Sequence, residues 1–349
     1  MIKSLVAAIR PLDGAAMQSA RKRQDALTKP TGSLGRLEDL SVQLAGITRQ
    51  CPPPIPQRKA VLVFAGDHGV TAQGVSAYPS AVTCQMVLNF LAGGAAINVL
   101  ARQANARVVI VDAGVSGDLP ITPSLISGKI DRGTADMSTG PAMTDDQARE
   151  ALELGARVAQ AEIAAGLDLL ACGEMGIGNT TPASAIVGVI TGMPIERVTG
   201  IGTGVDADGL RRKTAVIKQA LQVNHPDPTD GLDILAKVGG FEIGAMAGAM
   251  LAGAAAGIPV LVDGFITGSA ALIAATLSPM AKHYMIGAHQ STEPGHSATM
   301  SYLGLEPLLD MHMRLGEGTG AVLAMNVVEA AARILNEMAT FESAGVSNR

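Results

Sequence analysis

From residue 59 onward, short runs of almost unbroken apolar residues alternate with longer stretches whose apolar positions recur every three or four residues. The runs fall at 59–64, 107–111, 167–171, 197–201, 258–262 and 284–286. Continuous apolar character, without alternation, is the mark of strands covered on both faces. The intervening stretches predict helices over 82–102, 145–165, 182–189, 213–222 and 241–256. This strand–helix alternation predicts an α/β fold built on a doubly wound, mostly parallel, Rossmann-like sheet.

The ends of the chain read differently. Leu34, Leu37, Leu40, Leu44 and Ile47 lie at helical spacing, further helical segments precede them, and 321–335 forms another helix with one apolar face. Cys51-Pro52-Pro53-Pro54-Ile55-Pro56 is a stiff linker, after which the character of the chain changes. The expected organisation is a small helical domain from 1–50 and 300–349, with a large α/β domain over 51–299 that carries the cleft.

In such sheets ligands bind beyond the carboxyl ends of the strands. Those ends read Ala65-Gly66-Asp67-His68-Gly69, Asp112-Ala113-Gly114, Cys172-Gly173-Glu174-Met175-Gly176-Ile177-Gly178-Asn179-Thr180-Thr181-Pro182, Gly202-Thr203-Gly204, Asp263-Gly264-Phe265 and Ala288-His289-Gln290-Ser291. Any one of them is explained by a tight turn; together, glycines with acids and hydroxyls on one rim predict a binding cleft. The segment from Gly173 to Pro182 suits an anion, because glycine amides and hydroxyls would gather at a helix N-terminus opened by Pro182. It lacks both the P-loop and the dinucleotide spacing, which disfavours a nicotinamide dinucleotide enzyme. Lys213 follows the Gly202-Thr203-Gly204 loop and is placed to bring a cation to the same anion, although an isolated lysine is more often a solvated helix residue.

A carboxylate between two glycines, Leu315-Gly316-Glu317-Gly318, marks a turn between two helices, since each glycine costs a helix roughly 1 kcal/mol. Such a turn can push Glu317 into a pocket, where Met313 and Leu315 would exclude water and make it a general base. The plainer alternative is a solvated turn residue.

Composition narrows the class. The 349 residues are 48% apolar and 16% charged, with 41 glycines, five Phe, three Tyr and no Trp, which predicts a large, aliphatic, closely packed core. A net charge of −5 with no long basic run argues against nucleic acid as partner. Cys51, Cys84 and Cys172 have no C-x-x-C spacing and cannot all pair, and no apolar run has the form of a signal peptide or a membrane span, so a cytoplasmic protein is expected. Asp67-His68, and His289 with Glu293 and His296, invite a metal reading, but no H-E-x-x-H or tight ligand set is present, and no metal is expected. His68 is expected to orient Asp67 or nearby backbone.

An ordered set of motifs carries a resemblance across nearly the whole chain: Lys29-Pro30-x-Gly32-Ser33-Leu34-Gly35-Arg36-Leu37, Asp67-His68-Gly69-Val70, Gly173-Glu174-x-Gly176-x-x-Asn179-Thr180-Thr181-Pro182, Lys237-Val238-Gly239-Gly240-Phe241, Val262-Asp263-Gly264-Phe265 and Met313-Arg314-Leu315-Gly316-Glu317-Gly318. It resembles the nicotinate-nucleotide:dimethylbenzimidazole phosphoribosyltransferases of cobalamin lower-ligand nucleotide synthesis. The resemblance implies transfer of phosphoribose from nicotinate mononucleotide to 5,6-dimethylbenzimidazole with inversion from β to α. It implies Glu317 as proton acceptor and Glu174 as a second acid. Gly176 and Gly178, with Lys213, would hold the 5′-phosphate, Tyr78 stands near the base pocket, and Asn179, Thr180, Leu315, Asp263 and Ser291 would be further substrate-binding residues. It further implies a homodimer, for which the helix at 241–256 is the candidate interface, and no cofactor. Two other classes stay open on the residues alone: a metal-assisted hydrolase using Asp67, His68 and His289, and a non-catalytic nucleotide-binding protein.

Overall fold

A computed structural model of the chain describes residues 1–347. The last two positions of the expected C-terminal segment, 348 and 349, lie outside the described residues. Six strands form one wholly parallel sheet: β1 (Lys59–Gly66), β2 (Ala106–Gly114), β3 (Leu125–Ser127), β4 (Leu169–Met175), β5 (Val260–Val262) and β6 (Met285–Gly287), in the order β3-β2-β1-β4-β5-β6. The direction of winding reverses between β1 and β4, so the doubly wound arrangement expected from the sequence is the one present.

The register explains why the strands read as unbroken apolar runs. Ala60, Leu62 and Phe64 of β1 face one core, with the helices Asp145–Ala164, Phe241–Ala256, Phe265–Leu277 and Thr180–Thr191. Val61, Val63 and Ala65 face the other, with Ala81–Ala92, Ala96–Gln103, Arg36–Thr48 and Thr319–Glu337. The central strands β1 and β4 are thus sandwiched, and their buried length tolerates few polar residues. A smaller cluster joins the chain's two ends: Ala16, Ala20, Leu27, Val42 and Ala45 pack on Leu335, and Leu27 bridges to Thr340.

The structure departs from the sequence reading in four places. Residues 197–201 are not a strand: Pro194 opens a helical turn, Ile195–Val198, and Gly200 and Gly202 carry the chain onward as a loop. The edge strand β3 was not expected, being three residues long just after Pro120 and Pro123. The single helix expected over 82–102 is two, parted at Gly93-Gly94, where Gly93 takes a left-handed conformation (φ 77°) and closes the first helix. Composition alone makes Ala81–Gln103 long and apolar enough to cross a membrane, but it is broken there, and Val87, Phe90, Ile97 and Ala101 are buried against the sheet.

Finally, Phe241–Ala256 cannot be a subunit interface. It is buried along nearly its whole length inside the chain. Its small residues serve the packing on Asp145–Ala164: a Cβ on Gly155 would overlap the Ala245 carbonyl oxygen, and one on Gly248 the Leu152 carbonyl oxygen. The helices meet backbone to backbone, which only glycine permits.

Candidate active site

A cavity of about 680 Å³ opens over the carboxyl ends of β4, β5 and β6 beside the point of reversal, a size typical of small-molecule sites. Its wall includes Glu174 and Gly176 from β4 and the turn after it, Asn179 and Thr180 at the next helix N-terminus, Asp263, Ser291, Tyr78, Leu315 and Glu317. Those expected site residues therefore come together. Gly178 and Lys213 stand behind the wall. Gly178 is left-handed (φ 89°) and faces the Thr71 side chain. Lys213 is fully buried, with Nζ donating to Thr180 Oγ1 (2.6 Å) and the Gly200 carbonyl (3.2 Å). Burial pushes its ammonium down to about 8, against the pull of Glu293.

Glu317 owes its position to an unusual turn. Gly316, Glu317 and Gly318 are all left-handed (φ 87°, 61° and 87°); for a residue with a side chain this costs roughly 1–2 kcal/mol. The turn joins an extended segment, not a helix, to Thr319–Glu337. It lies so close to β4 that a Cβ on Gly173 would overlap the Glu317 carbonyl. Leu315 is 57% exposed and does not dry the acid. The carboxylate, at 5% exposure, is enclosed by the depth of the turn, and its Oε2 accepts the Ile97 N–H at 3.2 Å. That amide belongs to the first turn of Ala96–Gln103, so the break at Gly93-Gly94 creates a helix N-terminus aimed at Glu317. Burial raises the carboxyl above its ordinary value, the Ile97 bond opposes this, and Asp263 adds to it. No hydrogen bond from the described residues reaches Oε1.

The other acids are set by similar means. Glu174 accepts from the Asn179 side-chain amide; burial pushes its carboxyl up to about 8, the Asn179 bond opposing and the charges of Glu242 and Asp263 reinforcing. Asp263 caps Thr319–Glu337, accepting the Ala321 N–H at 2.8 Å. Its carboxyl is raised by burial and pulled back by His289 and the backbone amides of Ala321, Gly318 and Gly320. With Glu293 also on the wall, four carboxyl groups face Arg314 and His289. The cavity favours a group that develops positive charge.

The metal reading finds different partners for its residues. Asp67 Oδ2 accepts from the Ser116 N–H (2.8 Å) and hydroxyl (2.7 Å). His68 does not orient Asp67; its Nε2 bonds Glu242 Oε1 at 2.8 Å. His296 Nε2 bonds the His289 carbonyl at 3.0 Å. Among the described residues, no three His, Cys, Asp or Glu side chains form a group able to hold a metal ion. The apolar pair Val82 and Met86 also lines the cavity; their spacing from Tyr78, four and eight residues on, was the available signal. Ile97 gave none.

A parallel sheet with an acid-lined cleft at its reversal, beside a helix N-terminus rich in amides and hydroxyls, defines an α/β enzyme that works on a nucleotide-sized substrate. The chain belongs to the phosphoribosyltransferase family, whose profile matches residues 9–346. It is 59% identical, over 100% of its length and 99% of the relative's, to the nicotinate-nucleotide–dimethylbenzimidazole phosphoribosyltransferase of Chloroflexus aurantiacus. The enzyme of that name from Halalkalibacterium halodurans is 51% identical, over 99% of this chain and 96% of the relative. The crystal structure of the enzyme so named from Thermus thermophilus is similar, with TM-score 0.92 and 48% identity, over 97% of this chain and 100% of that one.

Proposed function

We propose that the chain transfers phosphoribose from nicotinate mononucleotide to 5,6-dimethylbenzimidazole, giving α-ribazole 5′-phosphate and nicotinate, in assembly of the cobalamin nucleotide loop. Relatives that carry this name align end to end with it. The observation that carries the chemistry is Glu317, a buried carboxyl held in a left-handed turn at the cavity wall with one oxygen tied to a helix N-terminus and the other free.

A benzimidazole has one N–H and one lone-pair nitrogen. Glu317 accepts the N–H proton as the other nitrogen's lone pair forms the bond to C1′ of the ribose. The bond from C1′ to nicotinate breaks on the opposite face, its electrons passing to the pyridinium nitrogen, which leaves neutral. C1′ inverts from β to α. Positive charge on the ribose at mid-reaction is met by the carboxylate of Asp263, while Glu174, protonated at neutral pH, donates to a ribose hydroxyl. The 5′-phosphate lies at the N-terminus of Thr180–Thr191, against Gly176, Asn179 and Thr180, with the Gly202-Thr203 loop opposite. Gly178 shapes that turn. Lys213 supplies its charge from behind Thr180, and Ser291 closes the same wall. Tyr78, Val82, Met86 and Leu315 provide the apolar side for the base.

The same reading carries a homodimer, for which exposed Tyr78, on the cavity wall, and exposed Leu88 are the candidate contacts, and a cytoplasmic setting that suits the free thiols Cys51, Cys84 and Cys172. It also keeps residues 1–50 and 300–347 as one helical unit, supported by the shared cluster around Leu335. The test is incubation with nicotinate mononucleotide and a panel of aromatic bases, read by chromatography. Nicotinate release that depends on the base supports the reading; release without any base, by hydrolysis, removes it.

A further inference from the structure

Behind the Glu174 wall lies an ionisable pair that the reaction as described leaves unused. His68, after β1, and Glu242, in the first turn of Phe241–Ala256, are 174 residues apart and bond at 2.8 Å with 3% and 0% exposure. Three backbone segments converge on the pair. A Cβ on Gly176 would stand 3.1 Å from His68 Nε2, 3.3 Å from Asn179 Nδ2 and 2.5 Å from the Gly66 carbonyl. A Cβ on Gly240 would stand 2.5 Å from His68 Cε1 and 2.7 Å from Glu242 Oε2, and one on Gly66 would stand 3.0 Å from that same oxygen. The end of β1, the turn after β4 and the start of Phe241–Ala256 are thus wrapped on one imidazole and one carboxyl. Asp67 ties the same loop to Ser116.

As a stabilising device the pair is poor. A buried ion pair roughly breaks even against well-packed apolar residues, and among the described residues Glu242 Oε2 finds no hydrogen-bond donor. What the pair touches is the turn that carries Asn179, and Asn179 donates to Glu174.

We propose that His68 and Glu242 are positioning residues for the transfer: the pair fixes the turn from Gly176 to Asn179 and, through the Asn179 amide, holds the Glu174 carboxyl at the cavity wall. Glu242 favours the charged form of the His68 ring. Burial alone would push the His68 imidazole down, but the charge and hydrogen bond of Glu242, with Asp67 adding, hold it above its ordinary value. The groups that face Glu174 are Asn179 from the helix N-terminus, Glu242 from Phe241–Ala256, Asp263 from beyond β5 and the Glu317 backbone. The pair reaches it through the first two.

The proposal rests on the transfer reading for its kinetics and is tested in two ways that separate the two. Nuclear magnetic resonance of ring-labelled histidine, assigned with His68→Gln, reads the pair without any reaction. His68 is expected to be doubly protonated at pH 6.5 in the wild type and neutral in Glu242→Ala; a neutral ring in the wild type overturns the ionic pair. In turnover, Glu242→Ala is expected to lower kcat ten- to a hundredfold with KM for the nucleotide within threefold. Glu242→Gln, which keeps the hydrogen bond to a neutral ring, should recover most of that loss. In a Glu174→Gln background Glu242→Ala should cost almost nothing more, because it acts through a side chain already altered. Costs that simply add, or Glu242→Ala within threefold of wild type, overturn the proposal. A doubly protonated His68 in a protein that transfers no phosphoribose would leave the pair standing and remove the reaction.

Discussion

Replacing Glu317 by glutamine separates proton acceptance from every other property of the side chain. The amide oxygen can still accept the Ile97 N–H that Oε2 now takes at 3.2 Å, and the left-handed turn is held by Gly316 and Gly318 on either side. The only change at the cavity wall is an NH2 where the free oxygen stood. Because the native carboxylate is buried and repelled by Asp263, the variant should melt no lower than wild type. A positioned general base contributes about 10² to 10⁴, or about 2.7–5.5 kcal/mol of barrier. The expectation is therefore a kcat lower by that factor, with KM for nicotinate mononucleotide almost unchanged, in a steady-state assay of nicotinate release. The pH profile adds a signature. Only the ionised carboxyl accepts a proton, and burial raises its titration, so wild-type kcat/KM should fall on the acid side at a pH above the ordinary carboxylate range. Glu317→Gln should lose that limb. Turnover within a few-fold of wild type, or an unchanged acid limb, would refute the assignment.

Lys213→Met keeps the buried stem and removes the charge behind Thr180; since the charge acts across one hydroxyl, KM for the nucleotide should rise about tenfold, the low end of the roughly 1.5–3 kcal/mol expected for a charged hydrogen bond, and an unchanged KM removes Lys213 from the phosphate site. Glu174 binds its proton up to about 8 in the folded chain but only to about 4.3 unfolded. Its contribution to stability is thus fully present below about pH 4 and is lost as pH rises to about 8, so Glu174→Gln should flatten the decline of denaturation midpoint between those limits, and an identical slope would show that Glu174 titrates normally. Gly248→Ala drives a methyl into the Leu152 carbonyl and should cost at least about 2 kcal/mol in chemical denaturation; a loss below about 0.5 kcal/mol would mean that the two helices are not in backbone contact.

The sheet was legible because both of its faces are covered, and burial on two sides leaves a plain mark: unbroken apolar runs at β1, β2, β4, β5 and β6. The same rule misled at 197–201, where Val198 is buried by a helical turn and Ile201 lies exposed in the loop after it, and it was blind to β3, too short to show any period. Glu317 was legible from its glycines, whose absence of Cβ is what lets the turn lie on β4. The source of its burial was not. The sequence reading assigned that to Met313 and Leu315, whereas the helix N-terminus at Ile97 supplies the contact, and an unbroken helix over 82–102 leaves no N-terminus there. His68 and Glu242 meet only through the fold, since no local pattern links positions so far apart.

Inverting transfer at C1′, with Glu317 taking the proton, leaves its mark on the anomeric centre of the product. Its most direct measurement is proton nuclear magnetic resonance of the reaction of nicotinate mononucleotide with 5,6-dimethylbenzimidazole, following the anomeric proton and the nicotinate ring protons together. One α-configured nucleotide is expected for each nicotinate released. A β-configured product, or free ribose 5-phosphate in place of a nucleotide, would contradict it.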